Sequence, residues 1–510
     1  MGEEDVISFP TTFNGSVVVE SRPERLTADA GVMILREVDE RLGWTKMLEK
    51  HLYDPRNQLL ITHPYIELLR TRIYMIAQGW NDQDDADFLR DDPAFRLAVS
   101  TRKGDKPLRS AEESGDDKTV PEGLSSQPTM SRLIKTLSFK DNISVLQDLL
   151  PVAVGSAVRS AREHRFQEAT LDVDSFPIEV HGHQAGSKYN GHYHKRIFNP
   201  IVAMLSETED FVGAKLREGT ASSAEGLEDF LMPIIEKTER EICVVSSVRG
   251  DAGMPSEPVL AMLENRRIGY CFRLTSNAVL EKLADPHLSR PPGRRPNGER
   301  MFFRELTYKA GTWSRNRRVV LVMIDRADEL FLHHFFLLTD WSEENMPSED
   351  LMQFYRKRGS HEGHLGEFKN ALDVALSCSS RSKRVYGNRL IKKRCPARSK
   401  EEEFMCNEAT LLLQVWAYNL ANRVRHLVEM AAPKDRGPAA PPPNPGGWSL
   451  QQVQQRVLRV AARFMLHSRY VVAVISDASA VLWNALAPHI AKLPSVDLAT
   501  AFARQKYENG

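Results

Sequence analysis

Leu171-Asp172-Val173-Asp174-Ser175 is the stretch on which the reading of this chain turns. Apolar and acidic side chains alternate with period two, the spacing of a strand, so Asp172 and Asp174 point to one face. Two carboxylates on one face of a buried strand repel each other and lose hydration. A bound divalent cation would answer both costs. Read alone, a strand end entering a solvated turn before Pro177 accounts for the segment as well.

Upstream of this stretch the pattern is helical. Thr27 is placed to cap a helix carrying Val32, Leu35, Val38 and Leu42 at three- and four-residue steps. Pro64 is expected in the first turn of another, with Ile66, Leu69, Ile73 and Ile76 on one face. Residues 101–123 are polar and broken by Pro107 and Pro121, a loop. Downstream, strand-like stretches at 168–182, 196–218 and 241–250 alternate with helical ones at 223–238 and 256–266, which predicts an α/β layer. Strands dominate 268–340 (Gly269–Leu274, Met301–Tyr308, Arg318–Ile324, Phe331–Leu338). Helical signals return at 348–374 and 406–431, before a Pro/Gly linker and a last helical segment over 448–508.

Two further places carry acids suited to the same chemistry. In Val248-Arg249-Gly250-Asp251-Ala252-Gly253, an acid follows an apolar strand, where α/β sheets place their sites, and glycines permit close approach; a turn aspartate explains it equally. In Tyr355-Arg356-Lys357-Arg358-Gly359-Ser360-His361-Glu362, continuing to Lys369, helical spacing puts Arg358 one turn before Glu362 and Lys369 two turns after it. An acid for metal flanked by cations for phosphate suits phosphodiester chemistry, although charge runs are usually solvated helix faces.

Composition narrows the field. The 510 residues suggest about three domains at roughly 150 residues each. Apolar residues make up 42%, enough for a real core. The 68 basic residues balance 68 acidic ones, so any nucleic-acid surface must be local. Five cysteines without CxxC spacing read as reduced thiols. The acidic N-terminus lacks a signal-peptide core, and no apolar run reaches membrane-spanning length. A cytoplasmic protein is the expectation.

Tyr355, Arg358, Glu362 and Lys369 reproduce the spacing Y-x2-R-x3-E-x6-K. With it come a D-x-D-S stretch, His181-Gly182-His183-Gln184, Tyr189-Asn190-Gly191, the R-G-D-x-G segment, and Asn407-Glu408 through Leu413 followed by Ala417-Tyr418-Asn419-Leu420. From about residue 20 to 480 the chain resembles bacterial insertion-sequence transposases of the DDE class, the IS-four superfamily and its IS-thirteen-eighty group. The resemblance implies an RNase H-like mixed sheet flanked by helices, with a β-rich insertion and helical N- and C-terminal regions. The corresponding division is 1–165 (helical, DNA-binding), 166–267 and 346–431 (catalytic core), 268–345 (β-rich insertion), 432–447 (linker) and 448–510 (C-terminal helical region).

The same resemblance assigns Asp174, Asp251 and Glu362 as catalytic, metal-binding acids, choosing Asp174 over Asp172 because the acid precedes Ser175. It gives Tyr355, Arg358 and Lys369 to the phosphate backbone of the transposon end. The implied cofactor is a pair of Mg²⁺ ions, with Mn²⁺ as substitute, about 3.5–4 Å apart. The partners are double-stranded DNA, as terminal inverted repeats and target, and a second copy of the chain in a synaptic homodimer.

Other DNA contacts are expected from the residues themselves. Ser125–Leu137 has the look of the second helix of a helix-turn-helix, with Ser126, Gln127, Thr129, Ser131 and Arg132 polar and Met130, Leu133, Ile134 and Leu137 buried; an ordinary amphipathic helix fits as well. Basic clusters lie at Arg290–Arg304 and Arg381–Lys400, the latter including Lys392, Lys393 and Arg394. Trp313 and Trp341 could stack on a displaced base, though large aromatics usually serve packing. His181, His183, His192 and His194 make a poor zinc site without cysteine. Three functions compete: an active transposase with endonuclease and joining steps, an RNase H-like nuclease that cuts without joining, and a domesticated derivative that only binds DNA.

Overall fold

The computed structural model describes residues 8–20, 24–109, 123–160, 166–290, 298–329, 331–378, 398–431, 447–467 and 470–493. In chain order the helices α1 (Val32–Leu42), α2 (Tyr65–Gln78), α3 (Gln127–Leu137) and α4 (Lys140–Ser160) precede the first long strands. Then come β1 (Glu168–Ser175), β2 (Ile201–Leu205), β3 (Asp210–Lys215), α5 (Leu227–Glu241), β4 (Val244–Gly250), α6 (Glu257–Asn265) and β5 (Gly269–Leu274). After these follow β6 (Arg300–Tyr308), β7 (Arg317–Asp325), β8 (His333–Thr339), α7 (Ser348–Arg356), α8 (Arg358–Ala371), α9 (Lys400–Ala431) and α10 (Asp477–Lys492).

The eight strands form one mixed sheet in the order β6-β7-β8-β5-β4-β1-β2-β3. β1 runs parallel to β4 and β4 parallel to β5, while every other pair is antiparallel. The strand-rich stretch after residue 268 therefore extends the sheet that holds β1. β1 lies inside the sheet, and its burial is continuous from Ala169 to Asp174, as expected of a strand covered on both faces.

Helices cover both faces. Leu171, Val173, Val245, Val248, Tyr270 and Phe272 pack with Leu231 and Ile235 of α5 and with Val259 and Leu263 of α6. On the other face, Val202, Met204 and Phe211 join Phe368 of α8 and the long helix α9. Since Leu171 and Val173 take the α5/α6 side, the period of two turns Asp172 and Asp174 toward α7 and α8. α9 is buried almost all round from Cys406 to Val428 and organises the helical body. Its Asn419 accepts from the backbone N–H of Phe211 on edge strand β3 (2.9 Å) and donates to the Phe211 carbonyl (2.8 Å), closing that edge.

Several expectations are corrected. The final segment is not wholly helical. Ala462–Leu466 and Val471–Ile475 form a hairpin that pairs with Arg25–Thr27 from the other end of the chain. Its β-branched run, Val471-Val472-Ala473-Val474-Ile475, favours a strand, and the partner lies too far away in sequence to show in local periodicity. Thr27 does not cap α1: its hydroxyl accepts from the Asp29 N–H at 2.9 Å, and Gly31 stands at the cap. Pro64 sits at the N-cap of α2, one position before the first turn. Among the described residues no helix is long and apolar enough to cross a membrane.

Candidate active site

The signature stretch is not one helix. Tyr355 is the penultimate residue of α7 while Arg358 opens α8, with Lys357 in helical dihedrals (φ −61°, ψ −19°) between the two helices. Ser360 bonds back to the Lys357 carbonyl at 3.2 Å, a tightened turn. Gly359, Gly363 and Gly366 make this a weak helix by propensity, so its placement depends on what it packs against.

Three strand and helix ends meet here. Asp174 is the penultimate residue of β1 and is 8% exposed. Asp251 follows β4 directly and is half-buried, and Glu362 is exposed on α8. Arg358, itself buried, donates from Nη2 to Asp174 Oδ2 at 2.8 Å and from Nη1 to Glu362. The Ser175 N–H donates to Asp174 Oδ1 at 2.8 Å. Burial pushes the Asp174 carboxyl up to about 6; Arg358 and the Ser175 N–H pull it down, and the charges of Asp251 and Glu362 push it up. Asp174 thus feels both of the other acids.

The remaining signature residues line the same space. Burial pushes the Tyr355 phenol up to about 12, with Arg358 opposing and Asp251 assisting. The Lys369 ammonium lies 4.9 Å from the centre of the Phe176 ring; burial lowers its pKa, and the charge of Asp174 opposes that shift. The Tyr193 phenol, which sequence reasoning left out, is pushed up by burial and by the charges of Asp174 and Asp251.

Asp172 has a separate fate. It is 2% exposed and held by Arg249 in a bidentate pair, Nε to Oδ1 and Nη2 to Oδ2, both 2.7 Å. The repulsion expected between Asp172 and Asp174 is answered by two arginines, one for each acid. The glycines beside Asp251 admit the chain's own side chains: a Cβ on Gly250 would stand 2.7 Å from Met254 Sδ, and one on Gly253 3.0 Å from Ser223.

Among the described residues, no three His, Cys, Asp or Glu side chains already stand at metal-holding spacing. The donor chemistry nonetheless fits a hard divalent cation. The carboxylates of Asp251 and Glu362 act on that of Asp174, and the positive charge between Asp174 and Glu362 comes from a side chain, Arg358, that can also bind phosphate.

A family description, transposase DDE domain group 1, matches residues 9–495. The chain belongs to the DDE transposases. It is a DNA transposase, an enzyme of the DDE class. A cryo-EM structure of the piggyBac transposase synaptic complex with hairpin DNA is similar at a TM-score of 0.39 and 11% identity, over 93% of this chain and 87% of that one. No curated protein matches the chain.

The other motifs of the transposase serve its packing. Gln184 donates to the Leu376 carbonyl at 2.7 Å and accepts from Asn407 at 2.9 Å, so two motifs more than 200 residues apart in sequence meet. Asn190 holds a turn, accepting from the His192 N–H at 3.0 Å and donating to Gly219 at 2.9 Å. His181, His183, His192 and His194 are all exposed.

The helix α3 buries Met130, Leu133, Ile134 and Leu137. On its polar side the Gln127 N–H donates to Asp87 and Ser131 donates to Gln83, each at 2.9 Å, while Ser126 and Thr129 hydroxyls stand 3.4 Å apart. Arg132 is exposed. Neither tryptophan is placed to stack on a base: Trp313 is buried against Tyr308 and Arg317, and Trp341 packs on Phe354 and over Gly269. In the Arg290–Arg304 cluster, Arg290 closes on buried Asp325 at 2.7 Å and Arg300 on the same acid at 3.5 Å. Lys392, Lys393 and Arg394 lie outside the described residues.

Proposed function

We propose that this transposase cuts the phosphodiester backbone at its transposon ends and joins the freed ends to target DNA, with Asp174, Asp251 and Glu362 as the acids that hold two Mg²⁺ ions. The observation that carries this reading is Arg358, which bonds Asp174 and Glu362 together while Asp174 also feels Asp251. Bound there, the two ions would activate the attacking oxygen and stabilise the leaving one. Mn²⁺ offers the same coordination chemistry as a substitute.

The chain's own residues supply the rest. Asp174 titrates near 6, so it is largely a carboxylate at neutral pH and available as a hard ligand. The planar fork of Arg358 matches phosphate as well as carboxylate, so its present partners can be exchanged for the DNA backbone. Tyr355 stays a neutral phenol and a hydrogen-bond donor. Lys369 contributes a point charge three turns along α8 from Arg358. In the cutting step water forms a new bond to phosphorus and the 3′ oxygen departs with a proton. In the joining step that 3′ hydroxyl gives up its proton and bonds to a target phosphorus, and the target strand's own 3′ oxygen leaves and takes up a proton.

The sheet around β1 is read as RNase H-like, which the mixed β3-β2-β1-β4-β5 order with acids on β1 and after β4 supports. The division at 165, 345, 431 and 447 remains the working domain plan, while β5, paired with β4, carries the core past the expected boundary at 267. Ser126, Gln127, Thr129 and Arg132, with Lys392, Lys393 and Arg394, are further DNA contacts in this reading. Pairing two ends calls for at least two copies of the chain, and membership of the IS-thirteen-eighty group calls for short inverted repeats flanking the reading frame.

A labelled transposon end incubated with target duplex and Mg²⁺ tests the proposal. Cleaved and joined products are expected from the parent chain and neither from Glu362→Ala, which should still bind the end. Cleavage without joined product would leave a nuclease, and unchanged cleavage by Glu362→Ala would remove the acid assignment.

A further inference from the structure

Arg249 occupies a place that none of the assigned roles uses. It is 1% exposed, and four of its five N–H donors are bound. Two go to Asp172 on β1. A third, from Nη1, goes to the Phe354 carbonyl of α7 at 2.6 Å, and the fourth, from Nη2, to Ser206 Oγ just after β2 at 2.6 Å. The guanidinium also lies 4.8 Å from the centre of the Phe354 ring. One side chain therefore ties together β4, β1, the end of β2 and α7.

The spacing of its partners connects this tie to the site. Arg249 and Asp172 are adjacent across the parallel pair of β4 and β1. Asp172 precedes Asp174 by two residues and Arg249 precedes Asp251 by two, so each stands one strand repeat below a proposed metal ligand. Phe354 immediately precedes Tyr355 and lies one turn before Arg358. The ends of both acid-bearing strands and the helix leading to the third acid are all held at one guanidinium. A planar fork can hold these directions at once; an ammonium, as a point charge, cannot.

We infer that Arg249, with Asp172 as its anchor, is a positioning residue that sets the separation of Asp174, Asp251 and the α7–α8 turn for metal binding. This rests on the reading of Asp174, Asp251 and Glu362 as metal ligands. Buried to 1% and 2% exposure, the pair acts through the backbone of the strands that carry the acids. Supporting groups of this kind are worth about 10–100-fold in metal affinity or activity.

The test is Mn²⁺ binding to the full chain by titration calorimetry, with thermal unfolding of each variant in parallel. Arg249→Lys keeps a cation against Asp172 but cannot reach Phe354 and Ser206 together; Asp172→Asn keeps the shape of the anchor. In whichever of these folds, Mn²⁺ binding is expected to weaken about 10–100-fold. Ser206→Ala removes a single bond from a half-buried position and should weaken it by about twofold to fivefold, below the range expected for loss of the whole tie. Parent-like Mn²⁺ affinity in folded Arg249→Lys or Asp172→Asn, or in Ser206→Ala should both of those unfold, overturns the inference. Asp174→Asn is the control: if it binds Mn²⁺ as the parent does, the acid assignment itself has failed. If it loses binding while the folded Arg249 and Asp172 variants do not, only the positioning role is lost.

Discussion

Asp172 and Asp174 stand two residues apart on the same face of β1, each paired with an arginine, and the two pairs differ in what surrounds them. Asp172 and Arg249 are closed in: side-chain exposures are 2% and 1%, and the further partners of Arg249, Phe354 and Ser206, are half-buried parts of the fold. Asp174 and Arg358 are open on one side. Arg358 shares itself with Glu362, whose side chain is 58% exposed, and its buried Nε has no hydrogen-bond partner. In the proposed reading the first pair fixes distances, and the second holds charge that DNA and a cation would take over. Sequence spacing treats the two acids alike, and their roles are separated by which arginine the tertiary fold brings to each.

The largest expected effect lies at the open pair. Glu362→Ala should reduce cleavage at least about 10³-fold, since a ligand that supports metal charge stabilisation contributes several kcal/mol to the transition state. Binding of the DNA end, measured by gel shift, should stay within a few-fold of the parent. A variant that still cuts at parental rate would make Glu362 an ordinary surface acid.

The closed pair should show its effect in stability. Asp172→Ala strands Arg249 as an uncompensated buried charge and should cost about 3–5 kcal/mol by denaturant unfolding. Asp174→Asn should cost nothing comparable, because it removes a carboxylate whose burial raises its pKa to about 6. An equal loss of stability in both variants would erase the distinction between the pairs.

The raised pKa of Asp174 has a definite sign. The folded state holds this proton more tightly than the unfolded chain, whose Asp titrates near 3.8, so this group's contribution to stability falls as pH rises from about 4 to about 6. Metal binding needs the carboxylate and runs the other way, increasing through pH 6. Mn²⁺ affinity measured from pH 5 to 7.5 should rise with a midpoint near 6, and Arg358→Ala should move the midpoint upward because Arg358 lowers this pKa. A flat profile, or a midpoint that falls in the variant, would contradict the raised pKa of Asp174 and the opposing pull of Arg358.

Much of this arrangement could be read locally. Strands β5 to β8 lie within a residue or two of their expected positions because short apolar runs bounded by polar turns mark strands, β5 and β7 being buried almost throughout. The acids of β1 and β4 were legible as acids at strand ends. Arg249 was not, because its partner lies 77 residues away and strand register is a tertiary fact. A signal was nevertheless present in the equal two-residue offset of Asp172 from Asp174 and of Arg249 from Asp251. The turn at Lys357 was hidden because its backbone stays helical on both sides. The pairing of Val471–Ile475 through Ala462–Leu466 to Arg25–Thr27 escaped for the same reason as Arg249: β pairing between chain ends leaves no local period.

Lys369 provides the smallest and sharpest comparison. Its ammonium sits over Phe176, two residues beyond Asp174, and burial has already lowered its pKa. If it served mainly to hold α8 against the sheet, Lys369→Met would still cost little, about 0.5–1 kcal/mol, because the stem remains and only the cation–π contact is lost. Its role in binding is separable by salt. A lysine that neutralises one phosphate steepens the fall of log K with log salt by about 0.9, so Lys369→Met should flatten the slope for end binding by about that amount. The flattening should be absent in Lys50→Met, which removes an exposed cation from the last turn of the Trp44–His51 helix. An unchanged slope in Lys369→Met with a normal unfolding curve would assign this lysine to the core-facing side of α8 and leave Arg358 to meet the phosphate.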